Sequence, residues 1–71
     1  MGILRGDSKM KVNDLVRIDC GVARVLSCSS TISRGVELWL ATVLFEGRKS
    51  FVWGCFRLRR GVWFRYDPFS A

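Results

Sequence analysis

The chain predicts an all-β domain: a small barrel or rolled sheet of five to six short strands. Three observations carry this. Short runs rich in Val, Ile, Phe and Trp recur along the chain and are too short for typical helices. Glycine or charged turn residues separate them. No stretch carries the 3.6-residue apolar repeat of an amphipathic helix. A closed sheet also removes the exposed edges that would make so apolar a chain aggregate.

The centre of the pattern is Glu37 to Leu58, which reads as a long hairpin around the charged turn Glu46-Gly47-Arg48. Before it, Met1 to Ser8 reads as a flexible N-terminal arm, leaving residues 9–71 as a single domain. Val12 to Cys20 is the first strand. Val16, Ile18 and Cys20 share one face, and Arg17 and Asp19 share the other. Gly21 turns the chain into a second strand, Val22 to Cys28, where Ala23 and Val25 point one way and Arg24 the other. The facing of Val22 and Leu26 stays open. Ser29 to Gly35 reads as a polar loop.

Leu38 to Phe45 is apolar on both faces, with Trp39, Ala41, Val43 and Phe45 on one and Leu38, Leu40, Thr42 and Leu44 on the other. Such a strand is central, or another chain covers one face. Trp39 and Leu40 are therefore the candidate self-association residues of a homo-oligomer. Gly54-Cys55-Phe56 predicts a tight turn of 3-10 type. Past it, Phe56 and Leu58 point inward and Arg57 and Arg59 outward. Arg60-Gly61 is a second corner, and Val62 to Tyr66 a last strand that Pro68 ends.

Composition bounds the function. With 71 residues the chain is one small domain, and such domains bury only about 60% of their unfolded surface. Hydrophobic residues make up 49% of it, so some apolar surface stays exposed or is covered by a partner. The net charge of +6 favours nucleic acid or an acidic protein as partner. No apolar run approaches the roughly 18 residues of a membrane span, and the N-terminus lacks a signal-peptide core. The expectation is a cytoplasmic protein with no membrane contact. The three cysteines, Cys20, Cys28 and Cys55, form no C-x-x-C pair, and with no histidine they fall short of a four-ligand zinc site. They read as reduced, packed thiols, and no cofactor or metal is expected. The missing histidine and the scattered carboxylates also argue against an enzyme.

The run Val12-Asn-Asp-Leu-Val-Arg-Ile, the glycine at 21, Ala41-Thr-Val-Leu-Phe-Glu-Gly and Phe56-Arg-Leu resemble an SH3-like barrel. The likeness spans about Val12 to Arg60 and lies at the level of the fold. Asn13 stands where that pattern usually has glycine, and a basic-aromatic tail extends beyond it. The resemblance implies five to six antiparallel strands with a 3-10 turn near residues 54–56. It does not fix a function, because some such barrels, KOW-type domains among them, bind nucleic acid and others dock acidic protein partners.

The candidate site comes from charge. From Gly47 onward the basic residues are Arg48, Lys49, Arg57, Arg59, Arg60 and Arg65, and Asp67 is the lone acid. Arginine pairs bidentately with phosphate and stacks on bases, and interleaved aromatics add stacking surface. Trp63 is open to either packing or contact and is placed in the binding set as a stacking surface, while Phe51, Phe56 and Phe64 are assigned to packing. The expected function is a small basic binding module for DNA or RNA with weak sequence specificity. The alternative is a docking subunit, or an inhibitor, that binds an acidic protein through the same residues.

Overall fold

The computed structural model describes residues 9–69, so the arm expected at residues 1–8 lies outside the described residues. Five strands follow in chain order: β1 (Leu15–Ile18), β2 (Gly21–Ser33), β3 (Val36–Phe45), β4 (Arg48–Arg59) and β5 (Val62–Tyr66). They form a closed barrel in the order β1-β2-β3-β4-β5. Each consecutive pair is antiparallel. The closing pair, β1 against β5, is parallel. An up-and-down meander with an odd number of strands brings its first and last strands together running the same way.

Two long strands make the corners. β2 pairs with β1 through Gly21–Arg24 and with β3 from Arg24 onward, with a bulge between Val25 and Ser27. An extra residue in one strand bends it and increases its twist. The bulge also settles Leu26, which has no partner in the register. β4 pairs with β3 up to Gly54 and with β5 from Cys55. The expected 3-10 turn at Gly54-Cys55-Phe56 is absent, and all three residues are extended. Gly54, at φ +140°, absorbs the change of direction within the strand, so no helical turn is needed.

The expected loop at Ser29–Gly35 is also corrected. β2 continues to Ser33 and only Arg34-Gly35 turn. Serine and threonine are extended here because β3 supplies a ladder partner to each from Ser27 through Ser33. Tertiary pairing overrides their weak strand preference.

All four hairpins between these strands turn on two residues, Asp19-Cys20 in the first and then Arg34-Gly35, Glu46-Gly47 and Arg60-Gly61, and the last three are alike. Each of those three pairs has positive φ at both positions, from 51° to 81°. That is the requirement of a type I′ turn, whose twist matches the flanking strands. The first residue of each of the three carries a Cβ in the left-handed region, which costs about 1–2 kcal/mol.

The core holds Met10, Val16, Ala23, Val25, Trp39, Ala41, Val43, Phe56 and Trp63. Trp39, Ala41 and Val43 share one face, as the alternation predicted, and that face is the inward one. Trp63 sits at the closure of the barrel, where Val16 is its ladder partner. Its indole Nε1 donates to Asp14 Oδ2 at 3.0 Å. The same oxygen accepts the Lys11 backbone N–H at 2.8 Å. Among the described residues no buried side-chain nitrogen or oxygen lacks a partner.

Asp14→Ala should lower stability by about 1–3 kcal/mol, because it strands a buried indole N–H. Combined with Trp63→Phe, the two losses should be less than additive in chemical denaturation. Glu46→Asn should raise stability by about 0.5–1 kcal/mol, since Asn-Gly suits a type I′ turn and Glu46 is exposed. Thermal unfolding checks this as an upward shift of the midpoint.

Candidate binding face and its geometry

Inward-facing positions of β3 and β4 fix the outward ones. The two-residue turn at Glu46-Gly47 sets Phe45 against Arg48, and the ladder then pairs Thr42 with Phe51 and Leu40 with Trp53. Thr42, Leu40, Phe51 and Trp53 therefore share the outer face. Phe51 is 77% exposed and Trp53 60%, with Leu40 exposed beside them. On the other side of β3, Ser27 lies beside Thr42, Ser29 beside Leu40 and Thr31 beside Leu38. The result is an apolar, aromatic patch bordered by hydroxyls.

The Arg65 guanidinium lies 5.7 Å from the centroid of the Trp53 ring. A cation at that distance is attracted to the ring face. Gly54 makes the approach possible. A Cβ there would stand 3.2 Å from Arg65 Nε and 3.4 Å from its Cδ. The Arg65 stem thus crosses the strand where there is no side chain.

Trp53 borders three surface depressions. The largest, about 700 Å³, includes Gly54, Arg65, Tyr66 and Asp67. A second, about 340 Å³, is formed by Leu38, Leu40, Ser29 and Thr31. The third, about 300 Å³, brings Arg17 and Asp19 of the first hairpin to Phe51 and Arg65. Trp53 is a projecting wall shared by all three.

The basic residues picked out in the sequence do not gather into one patch. Arg48 and Lys49 are exposed at the start of β4, and Arg59 and Arg60 at its far end. At about 3.3 Å per residue they stand some tens of Å apart along the strand. Arg57 covers the outward ring of Tyr66 at 4.3 Å, beyond the bend at Gly54. Arg65 alone stands with an exposed tryptophan. Among the described residues, the ion pair present is Lys9 Nζ to Glu37 Oε2 at 3.4 Å. The six basic residues of the C-terminal half have no carboxylate partner within that set.

Two aromatics stand elsewhere than the binding set and packing set placed them. Trp63, open to packing or contact and carried as a stacking surface, is 2% exposed and hydrogen-bonded inside. Phe51, expected in the core, is among the most exposed side chains. Of the self-association pair, Trp39 is 7% exposed and faces the core, so Leu40 alone offers surface. Phe56 is buried as expected, while Phe64 and Leu58 are exposed. Arg17, read as merely outward, joins the aromatic face. The signal for Phe51 and Trp53 was the register of the hairpin, which a two-residue turn determines.

Among the described residues no three His, Cys, Asp or Glu side chains are grouped to hold a metal. No described helix is long and apolar enough to cross a membrane. The chain matches no protein-family model, no curated protein and no solved structure.

The thiols differ in environment. Cys20 is exposed, Cys28 half-buried and Cys55 buried. Cys28 Sγ donates to the Met10 carbonyl at 3.3 Å. Partial burial, and secondarily the Asp14 carboxylate, raise its pKa above the ordinary thiol value. The folded state thus holds that proton more tightly than the unfolded chain. The stabilisation is complete below the unfolded thiol's pKa and is lost as pH rises through the folded one. Alkylation should therefore modify Cys20 first, Cys28 slowly and only at more alkaline pH, and Cys55 on unfolding. Mass spectrometry of peptides from a pH series reads the order.

Proposed function

We propose that this protein is a binding module of the SH3-like small-barrel kind that takes single-stranded nucleic acid on the outer face of β3 and β4. The observation that carries the reading is the pair of exposed aromatics, Phe51 and Trp53, on alternate positions of one strand with Arg65 against the second. Alternate residues stand about 7 Å apart along a strand, which suits two successive unstacked bases. Aromatic faces accept any base, so sequence preference is weak. Arg17, Lys49 and Arg65 surround them and supply phosphate contacts. A stacked guanidinium keeps its in-plane N–H donors free for a phosphate. Arg57, Arg59 and Arg60 lie beyond the bend and add long-range attraction to a polyanion.

The apolar floor of Leu38 and Leu40 beside Trp53 favours one second reading: an acidic protein segment docked on the same face, with the arginines as its rim.

Titration with a labelled single-stranded oligonucleotide separates them. Binding should weaken with salt at a log–log slope of about −2 for three phosphate contacts. Trp53→Ala should weaken it by about 5- to 100-fold, and Arg59→Ala much less. Tryptophan fluorescence should be quenched on binding, and Trp53→Phe should abolish the quenching, because Trp39 and Trp63 are buried. A flat salt response, or unchanged affinity in Trp53→Ala, would rule the nucleic-acid reading out. A nuclease-resistant protein complex lost in Trp53→Ala would establish the second.

A further inference from the structure

The hairpin of β2 and β3 runs on past its strand pairing with β1 and β4, touched at its tip by Phe69 under Arg34 and along β3 by Lys9 on Glu37. β1 ends its pairing with β2 at Arg24, and β3 is paired with β4 only from Trp39 onward. Val25 bonds to Asn13 and Asp14, and among the described residues no backbone hydrogen bond reaches the far edge of β2 beyond it. The edge can be worked out residue by residue. Ser33 and Val36 close a two-residue turn. Such a closing pair exchanges both its hydrogen bonds, so Ser33, Thr31, Ser29 and Ser27 turn their backbone groups toward β3. Cys28, Ser30 and Ile32 turn theirs outward, where the described residues supply no backbone partner and only the Met10 carbonyl comes near, accepting from Cys28 Sγ at 3.3 Å.

Proteins protect such edges with lysine, proline, bulges or a cover. From Leu26 to Ser33 this edge has no charge and no proline. Ile32 is 67% exposed on it. Neutral, and with the bulge confined to its inner end at Val25–Ser27, the stretch from Cys28 to Ile32 is a template for another strand.

We propose that the edge pairs with the same edge of a second copy, antiparallel about a two-fold axis through Ser30. The register is self-consistent. With Ser30 facing Ser30, Cys28 of each copy faces Ile32 of the other, and all three outward-turned residues become hydrogen-bonded pairs. Three residues with two groups each give about six backbone hydrogen bonds across the axis. Exposed Ile32 gains an apolar partner beside Cys28 and buried Met10. Arg34 falls opposite Leu26, so like charges are not brought together in a chain of net charge +6. An isologous contact of this kind closes on itself and does not propagate.

The dimer would join the two β2-β3-β4 sheets edge to edge. Both outer faces then lie on the same side, and the aromatic platform is doubled. The inference does not depend on what that platform binds, because its test is oligomeric state.

Sedimentation equilibrium of the full chain across micromolar concentrations should show a monomer–dimer equilibrium. Ser30→Pro removes an outward N–H and no bond of the chain's own ladder, and it should raise the dissociation constant about tenfold or more. Ile32→Lys, at an exposed position, should do the same and serves if the proline variant is unfolded by circular dichroism. Ser30→Cys should give a covalent dimer under mild oxidation, with the disulfide mapped to position 30, since facing residues of such a pair stand about 5.5 Å apart. A wild-type chain that stays monomeric would overturn the proposal, as would a dimer unchanged in folded variants. So would a chain that dimerises only when residues 1–8 are removed, because the edge is then occupied by its own N-terminus.

Discussion

The barrel depends on a short closure. β1 and β5 meet through two residue pairs, Leu15 with Val62 and Val16 with Trp63. A ladder that brief supplies little by itself. Trp63 adds a large buried surface at the seam, and Asp14 holds its indole N–H. Asp14 also takes the Lys11 N–H, which ties the chain entering β1 to the strand that completes the ring. A buried indole N–H without that acceptor would cost about 1–3 kcal/mol. This explains why an aromatic in a strongly basic segment is unavailable to a ligand: the closure occupies it.

The same closure decides which aromatics remain outside. Five strands enclose a narrow interior. It is filled by Val16, Ala23, Val25, Ala41 and Val43, with Trp39, Phe56 and Trp63 as the large members. Two alanines in the centre show how little width is left. Phe51 and Trp53 stand on the opposite parity of β4 and have no interior to enter. So small a domain carries more apolar side chains than it can bury. Part of that surplus, Leu40, Phe51 and Trp53, lies together on one sheet face beside arginine, as a surface that a partner can cover.

Period-two alternation made the class of fold legible in the sequence and grouped Trp39, Ala41 and Val43 on one face of β3. With both faces apolar it did not say which is inward, and Trp39 was offered for self-association although it faces the core. The outer platform was not legible, for a reason one residue wide. A three-residue turn, Glu46-Gly47-Arg48, places Phe51 and Trp53 opposite Val43 and Ala41, inside the barrel. The two-residue turn, Glu46-Gly47, places them opposite Thr42 and Leu40, outside. A slip of one residue inverts every facing assignment along a strand. Trp63 was open between packing and contact for a different reason. Its burial comes from a contact across 49 positions to Asp14, which no local pattern encodes. Ser29 to Ser33 looked like a loop because its strand character is lent by β3.

Gly54 joins the two halves of this account. β4 must serve β3 and then β5, so it bends, and the bend falls on a residue at φ +140°. A side chain there would be strained, and it would also occupy the path of Arg65. By parity Arg65 belongs with Trp63 and the interior, yet at the end of β5 it runs out across the bare glycine to the ring of Trp53. The residue that lets a five-strand sheet close is therefore the one that brings a cation from one strand onto an aromatic of another. Two groups far apart in the alternation become one surface because the strand between them lacks a Cβ at its turning point.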